Sequence, residues 1–119
     1  MDILGKLQIK AGQRVAVLAG DQPVPDGLLA GAELVDDPAG ADAVIAFVRR
    51  RADLAGTAAT ALEAARQGRM AWIAYPKAGK LGTDLNRDLL AAAVAGHGVQ
   101  PVRQVALDDV WSALRFRPA

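Results

Sequence analysis

The chain has no cysteine and only one histidine and one serine among its 119 residues. Without cysteine, disulfides, thiolate metal sites and thiol nucleophiles are excluded, and a reducing compartment fits the composition. Long apolar runs are also missing, so neither a signal peptide nor a membrane span is predicted. We therefore expect a soluble, cytoplasmic protein with no membrane partner.

The two rare residues offer little chemistry. His97 lies between two glycines, and Ser112 lies inside an apolar run near the end of the chain. No Ser-His-Asp triad can be assembled from them, and a metal site would need carboxylates alone, which no acidic spacing supports. We predict no catalytic residue, no metal and no cofactor, and we interpret His97 as structural.

Charge of one sign is not in excess either. The formal net charge is +1, with 52% apolar and 23% charged residues. This composition is typical of a globular chain, and its length suits one domain over residues 1–119. A nucleic-acid partner is not expected, because such proteins usually carry a marked basic excess.

Apolar runs and helix-period segments alternate along the chain. Strands are predicted at RVAVLAG (14–20), AELVDD (32–37), ADAVIAFV (41–48) and MAWIAYP (70–76). Helices are predicted over 53–66, with Asp53 near its start and Gly68 at its end, and from about Thr83 to Ala95. DQPVPDG (21–27) is a loop before a short helix.

The tail VRQVALDDVWSALRFR (102–117) lacks a helical segment between its two β-like halves. Asp108 and Asp109 alone separate these halves, which predicts an antiparallel hairpin with Leu114 and Phe116 facing the core. The paired aspartates are interpreted as a turn, with a general acid and base pair as the alternative. We predict a three-layer, Rossmann-like α/β sandwich with a mostly parallel sheet ending in this hairpin.

Several phrases carry a family resemblance. LQIKAGQRVAVLAG resembles the segment that leads into the nucleotide loop of S-adenosylmethionine-dependent methyltransferases. The phrases QIKAGQRVAVL, ADAVIAFVR, WIAYPK, GTDLNRD and DDVWSALRFRP together resemble a bacterial domain family of unknown function with a minimal class I methyltransferase-like fold. The resemblance implies the fold and no activity.

The chain departs from true methyltransferases in the loop after the first strand. Their cofactor needs a G-x-G-x-G turn that lets the backbone approach the ligand. Here AGDQPVP offers Gly20 alone, and Pro23 and Pro25 remove N–H donors. Asp36 or Asp37 could hold a ribose, or could simply form a turn before Pro38. Methyl transfer is therefore not expected.

The densest cluster of functional residue types is AYPKAGKLGTDLNRD (74–88), directly after an apolar strand. Ligands of open parallel sheets bind at the carboxyl ends of strands, and a helix starting at Thr83 between Lys77 and Lys80 would suit an anion. The structural alternative is a well-made connection. In that alternative Thr83 caps the helix, Asp84 complements its dipole, Asn86 reaches back and Arg87 pairs with Asp84 or a neighbouring element.

RRRAD (49–53) follows another predicted strand, and its arginines oppose the dipole of the next helix. We expect Arg49 and Arg50 on the same edge as Lys77 and Lys80, available to an acidic ligand. The alternative is that these arginines are solvated and pair with Asp53, Asp21 or Asp36.

These residues lead to two leading hypotheses. The first is a small-molecule or regulatory module that binds a phosphate-like or nucleotide-like anion through Arg49, Arg50, Lys77, Lys80, Thr83, Asp84, Asn86 and Arg87. The second is an interaction module, a homodimer through the terminal hairpin, in which Trp111 and Arg115 share an outer surface, as interface residues often do. The alternative for Trp111 is packing beneath a helix. An enzyme of degenerate methyltransferase type is the third choice.

Overall fold

The computed structural model describes residues 3–20, 24, 27, 29–77 and 79–119. The centre of this part is one six-stranded mixed sheet, with strand order β2-β1-β3-β4-β6-β5. The strands are β1 (Arg14–Leu18), β2 (Glu33–Val35), β3 (Ala43–Phe47), β4 (Met70–Pro76), β5 (Val99–Ala106) and β6 (Trp111–Pro118). β1 to β4 pair in parallel, and β6 is antiparallel to both β4 and β5. The predicted C-terminal hairpin is thus formed by β5 and β6.

The described residues form three α-helices beside the sheet: α1 (Ile3–Lys6), α2 (Ala59–Arg66) and α3 (Arg87–Val94). The α1 helix was not predicted, and α2 and α3 both begin later than predicted. Before α2, the Asp53 carboxylate accepts from the N–H groups of Arg49 and Arg50, which precede it. It therefore closes a tight turn instead of starting the helix, and Gly56 is a poor helix former. At the other end Gly68 has φ +78°, so it terminates α2 as expected.

The sheet is buried on both faces. On one face α2 and α3 pack Leu62 and Leu90 against strand residues such as Val44, Ile73 and Leu114. On the other face the N-terminal segment, including Leu4, Leu7 and Ile9, covers Ile45, Phe47, Trp72 and Trp111. Because both faces are covered, β3 and β4 consist of continuous apolar residues without polar alternation.

The parallel strand order places the segments that follow β3 and β4 at the same edge of the sheet. The carboxyl ends of β3 and β4 lie side by side, with Phe47 opposite Ala74. The turn of the terminal hairpin is at the same edge, since the Lys77 N–H donates to the Val110 carbonyl at 2.7 Å. Most of the predicted loop 21–27 lies outside the described residues. Gly20, at φ +55°, is described, and a Cβ there would meet Thr57 Oγ1 at 3.0 Å.

Candidate functional site

The residues 49–53 form an arginine turn at the end of β3. Its three consecutive backbone N–H groups all bind carboxylates of the chain itself. Arg49 and Arg50 donate to Asp53 Oδ2 at 3.2 Å and 3.1 Å, and Arg51 donates to Asp84 Oδ1 at 2.9 Å. Successive N–H groups that converge on oxyanions are a known anion-binding arrangement. Here the carboxylates of Asp53 and Asp84 occupy all three of these backbone donors.

The lysine loop, residues 77–86 with Ala78 outside the described part, connects β4 to α3. Gly79 and Gly82 have φ +80° and +66°, conformations that favour glycine. Leu81 also has positive φ, at +53°, and its side chain is 46% exposed. A leucine in the left-handed region costs about 1 kcal/mol or more, so the surrounding contacts must hold this loop in place.

Two contacts join the lysine loop to the arginine turn. The Thr83 hydroxyl donates to the Arg49 carbonyl at 2.6 Å and accepts from the Leu85 N–H at 3.0 Å. The second contact is the bond between Asp84 and the Arg51 N–H described above. Leu85 is 3% exposed and belongs to the core, so the loop is held at both the turn and the apolar layer.

This arrangement corrects the predicted helix start. Thr83 does not cap α3; the cap is Asn86, whose Oδ1 accepts from the Leu89 N–H at 2.9 Å. Asp84 lies before the helix and binds the arginine turn, so it does not act in the first helical turn. Arg87 pairs with its neighbour Asp88 at 3.3 Å, not with Asp84. The cap of α3 therefore lies three residues after the predicted one, at Asn86.

The basic side chains at this edge lack internal counterions. Arg50, Arg51 and Lys80 are exposed, and Arg49 and Lys77 are partly buried. Within the described residues, none of these five groups forms an ion pair. The local carboxylates of Asp53 and Asp84 bind main-chain N–H groups instead, so the predicted pairing of an arginine with Asp53 does not occur. Asp21 lies outside the described residues. The five cationic groups thus have no ion-pair partner among the described residues.

A groove extends from the arginine turn towards α3. Its volume is about 400 Å³, and its lining residues are Arg51, Ala52, Leu54, Ala55, Ala93 and His97. His97 lines this groove, and its carbonyl accepts from Arg66 Nη1 at 2.9 Å. Arg51 belongs to both the arginine turn and the groove. A second groove of about 300 Å³, between Pro38, the α2 residue Glu63 and Gln67 just after α2, has no such connection.

Tyr75 lies near the site but inside the core. It is 2% exposed, and its hydroxyl accepts from Gln104 Nε2 at 3.1 Å. Burial raises the pKa of the Tyr75 phenol, and the nearby positive charge of Arg87 opposes that rise. The phenol therefore stays protonated and neutral over the ordinary pH range.

The predicted interface residues occupy a different environment. The sequence leaves open whether Trp111 lies on an outer surface or beneath a helix. The structure excludes the outer surface, because Trp111 is 3% exposed and forms an edge-to-face pair with Phe47, with 5.2 Å between the ring centroids. The N-terminal segment covers this face of the hairpin. Arg115 is partly buried there, with Nη1 donating to Gln8 Oε1 at 2.7 Å and a buried Nε that has no partner. Arg117, two residues further along β6, is exposed.

Neither a cluster of metal ligands nor a membrane-spanning helix occurs among the described residues. No group of three or more His, Asp or Glu side chains there is placed to hold a metal ion. Among the helices of the described part, none has the length and apolar character needed to cross a membrane.

Comparison with known proteins adds little. No protein-family model and no curated protein sequence matches the chain. Ten chains of solved structures match, one of them described as the structure of LepI in complex with SAM, with a TM-score of 0.45 and 14% identity. The match covers 98% of this chain and 46% of the LepI chain, so the chain spans less than half of that protein. Similarity at this level carries no argument here, and the resemblance to a bacterial family of unknown function stays a prediction.

Some contributors to the site were not among the predicted binding residues. Arg51 both donates its N–H to Asp84 Oδ1 and lines the groove, and Asp53 accepts from the N–H groups of Arg49 and Arg50. The groove residues Leu54, Ala55 and Ala93 carry no sequence signal, because alanine and leucine at helical spacing predict only a buried stripe. The one available signal was the RRRAD run itself.

Proposed function

We propose that this chain is a binding or regulatory module for a small anionic molecule, held at the carboxyl edge between β3 and β4. The observation that carries the proposal is the arginine turn. Its backbone N–H groups donate to the carboxylates of Asp53, within the turn, and Asp84, in the lysine loop. This leaves the guanidinium forks free for a phosphate or carboxylate, which they match bidentately. Lys77 and Lys80 add positive charge from the neighbouring loop.

The arrangement of the sheet and its two covered faces also favours a ligand site at the carboxyl edge between β3 and β4. A parallel half-sheet, a C-terminal antiparallel hairpin and chain segments on both faces agree with a three-layer, methyltransferase-like Rossmann fold. Open sheets of this kind bind ligands outside the carboxyl ends of their strands. The proposal involves no catalytic step, since among the described residues of this edge no acid, base or nucleophile stands in a recognisable catalytic setting.

The test is ligand-dependent stabilisation measured by thermal shift and calorimetry. Phosphate, sulfate and nucleotides are titrated at constant ionic strength, with sodium chloride as the reference salt. A ligand that binds the folded state stabilises it by about 1.4 kcal/mol at ten times its Kd. The double variant Arg50→Ala/Lys80→Ala is expected to lose this response, because both side chains are exposed and neither has a structural partner in the described part.

A matched control removes two charges elsewhere. Arg103→Ala/Arg117→Ala takes two exposed arginines from the β5–β6 hairpin. The control is expected to respond like the wild type. A proposal of specific binding fails if millimolar ligand has no effect on the wild type, or if both double variants lose the response equally, since that would reflect general charge attraction.

A homodimer through the hairpin is the second candidate, favoured by one observation. β5 is the end strand of the sheet, and Val102 on it is 45% exposed. The register irregularity between Pro101 and Arg103 and the proline itself limit strand addition, so side-chain packing around Val102 would carry the interface. Light scattering after gel filtration tests it: a dimer that Val102→Asp converts to monomer supports this candidate, and a wild-type monomer refutes it.

A further inference from the structure

The groove beside the arginine turn narrows the class of ligand. Four of its six lining residues are apolar, namely Ala52, Leu54, Ala55 and Ala93, and the two others are Arg51 and His97. Among the described residues, no carboxylate lines this groove itself. An anion whose charged group meets the Arg51 guanidinium would therefore find a methyl-lined surface next to it, while the carboxylates of Asp53 and Asp84 stay on the backbone N–H groups of the turn.

The chemistry of the lining argues against the more polar anions. A nucleotide base is usually bound by several hydrogen-bonding groups or a large aromatic face, whereas four of the six lining residues are alanine or leucine and none is Phe, Tyr or Trp. Inorganic phosphate would leave the apolar surface unused. The volume of about 400 Å³ lies at the small end of ligand sites, and it suits a short hydrocarbon body.

We propose that the ligand is an organic oxyanion with a short apolar body, a phosphate or carboxylate group at the arginine turn and a hydrocarbon part along Ala52, Leu54 and Ala55. This inference rests on the anion-binding function proposed above. Full burial of one methylene group favours binding about fourfold, and an open groove covers about half of its surface. We therefore expect affinity to rise about twofold for each added methylene until the groove is filled.

The experiment measures Kd along two homologous series by calorimetry. One series runs from inorganic phosphate through methyl, butyl and hexyl phosphate, and the other from acetate through pentanoate to heptanoate, all below micelle-forming concentrations. Comparison of the two series decides whether phosphate or carboxylate is the preferred group. Hexanol serves as the uncharged control and is expected not to bind.

Two variants locate the hydrocarbon part. Ala55→Phe fills the groove from an exposed position, so it is expected to abolish the chain-length dependence while inorganic phosphate still binds. Ala92→Phe makes the same change at an exposed position of α3 that does not line the groove, and it should behave as the wild type.

The outcomes separate this inference from the function on which it rests. If phosphate binds and hexyl phosphate binds no better, the inference is overturned and the anion-binding function stands. If the chain-length dependence persists in Ala55→Phe, the hydrocarbon part lies elsewhere and the inference is again overturned. If hexanol binds as tightly as hexyl phosphate, the charged group has no role in binding and the inference is overturned. If no anion of either series binds, the proposed function fails, and this inference fails with it.

Discussion

The connection between the lysine loop and the arginine turn makes a quantitative prediction at Thr83. The substitution Thr83→Val keeps the shape of the side chain and removes its hydroxyl, which bonds the Arg49 carbonyl and the Leu85 N–H. Each lost hydrogen bond costs about 1 kcal/mol at a partly buried position, so the free energy of unfolding should fall by about 2 kcal/mol. For a chain of 119 residues this lowers Tm by about 8 °C.

Urea and thermal unfolding, followed by circular dichroism, measure this effect. Thr83→Ser retains the hydroxyl and should lose less than half as much stability. Thr60→Val makes the same change at an exposed threonine of α2 and should be neutral within about 0.5 kcal/mol. The reasoning is refuted if Thr83→Val matches the wild type, or if Thr83→Ser is as destabilising as Thr83→Val, because the hydroxyl would then not be the group that matters.

Three further substitutions test other parts of the structure. Trp111→Ala should lower the free energy of unfolding, measured by urea titration, by about 3–5 kcal/mol, because the indole is buried against Phe47. A change of oligomeric state with unchanged stability would instead indicate that Trp111 is an exposed interface residue. Arg115→Met should leave the free energy of unfolding unchanged or raise it by about 1 kcal/mol, because it removes a buried Nε that has no hydrogen-bond partner. Arg117→Met is the control at an exposed position, and a large loss of stability in Arg115→Met alone would show that the bond to Gln8 dominates. Burial raises the pKa of Tyr75 above its ordinary value of 10.0, so its contribution to stability is fully present below that pH and is lost as pH rises through the folded-state pKa. Tyr75→Phe should therefore reduce the alkaline loss of stability, and identical pH profiles of the two proteins would contradict this.

Much of the sheet was predictable because its signals are local. Continuous apolar residues and a terminal proline define β4, which the structure has at Met70–Pro76, as predicted. The paired aspartates between two β-like runs indicated the hairpin of β5 and β6, and Asp108 does form the turn by accepting from the N–H groups of Val110 and Trp111. A β-strand that is buried on both faces can be recognised from its continuous apolar composition, without knowing which strands pair with it.

The faces of the hairpin were predicted less well. Alternation in β6 correctly separated Leu114 and Phe116 from Trp111, but it left open what lies over the Trp111 face. The answer is the N-terminal segment, in which Leu7 accepts a hydrogen bond from Trp72 Nε1 at 3.1 Å through its carbonyl. The four-residue α1 helix was missed because so short a helix has no periodic pattern, and its stability comes from tertiary packing.

The sequence by itself determined where the apolar strands lie and that basic residues follow two of them, because composition and breakers act over a few residues. Tertiary structure alone decided which partner each carboxylate and hydroxyl binds. Asp84 accepts from the Arg51 N–H and Thr83 donates to the Arg49 carbonyl, 33 and 34 residues away, and α3 begins only after the Asn86 cap. Helix start signals compete with long-range partners of similar strength, so only the folded chain shows which partner is chosen.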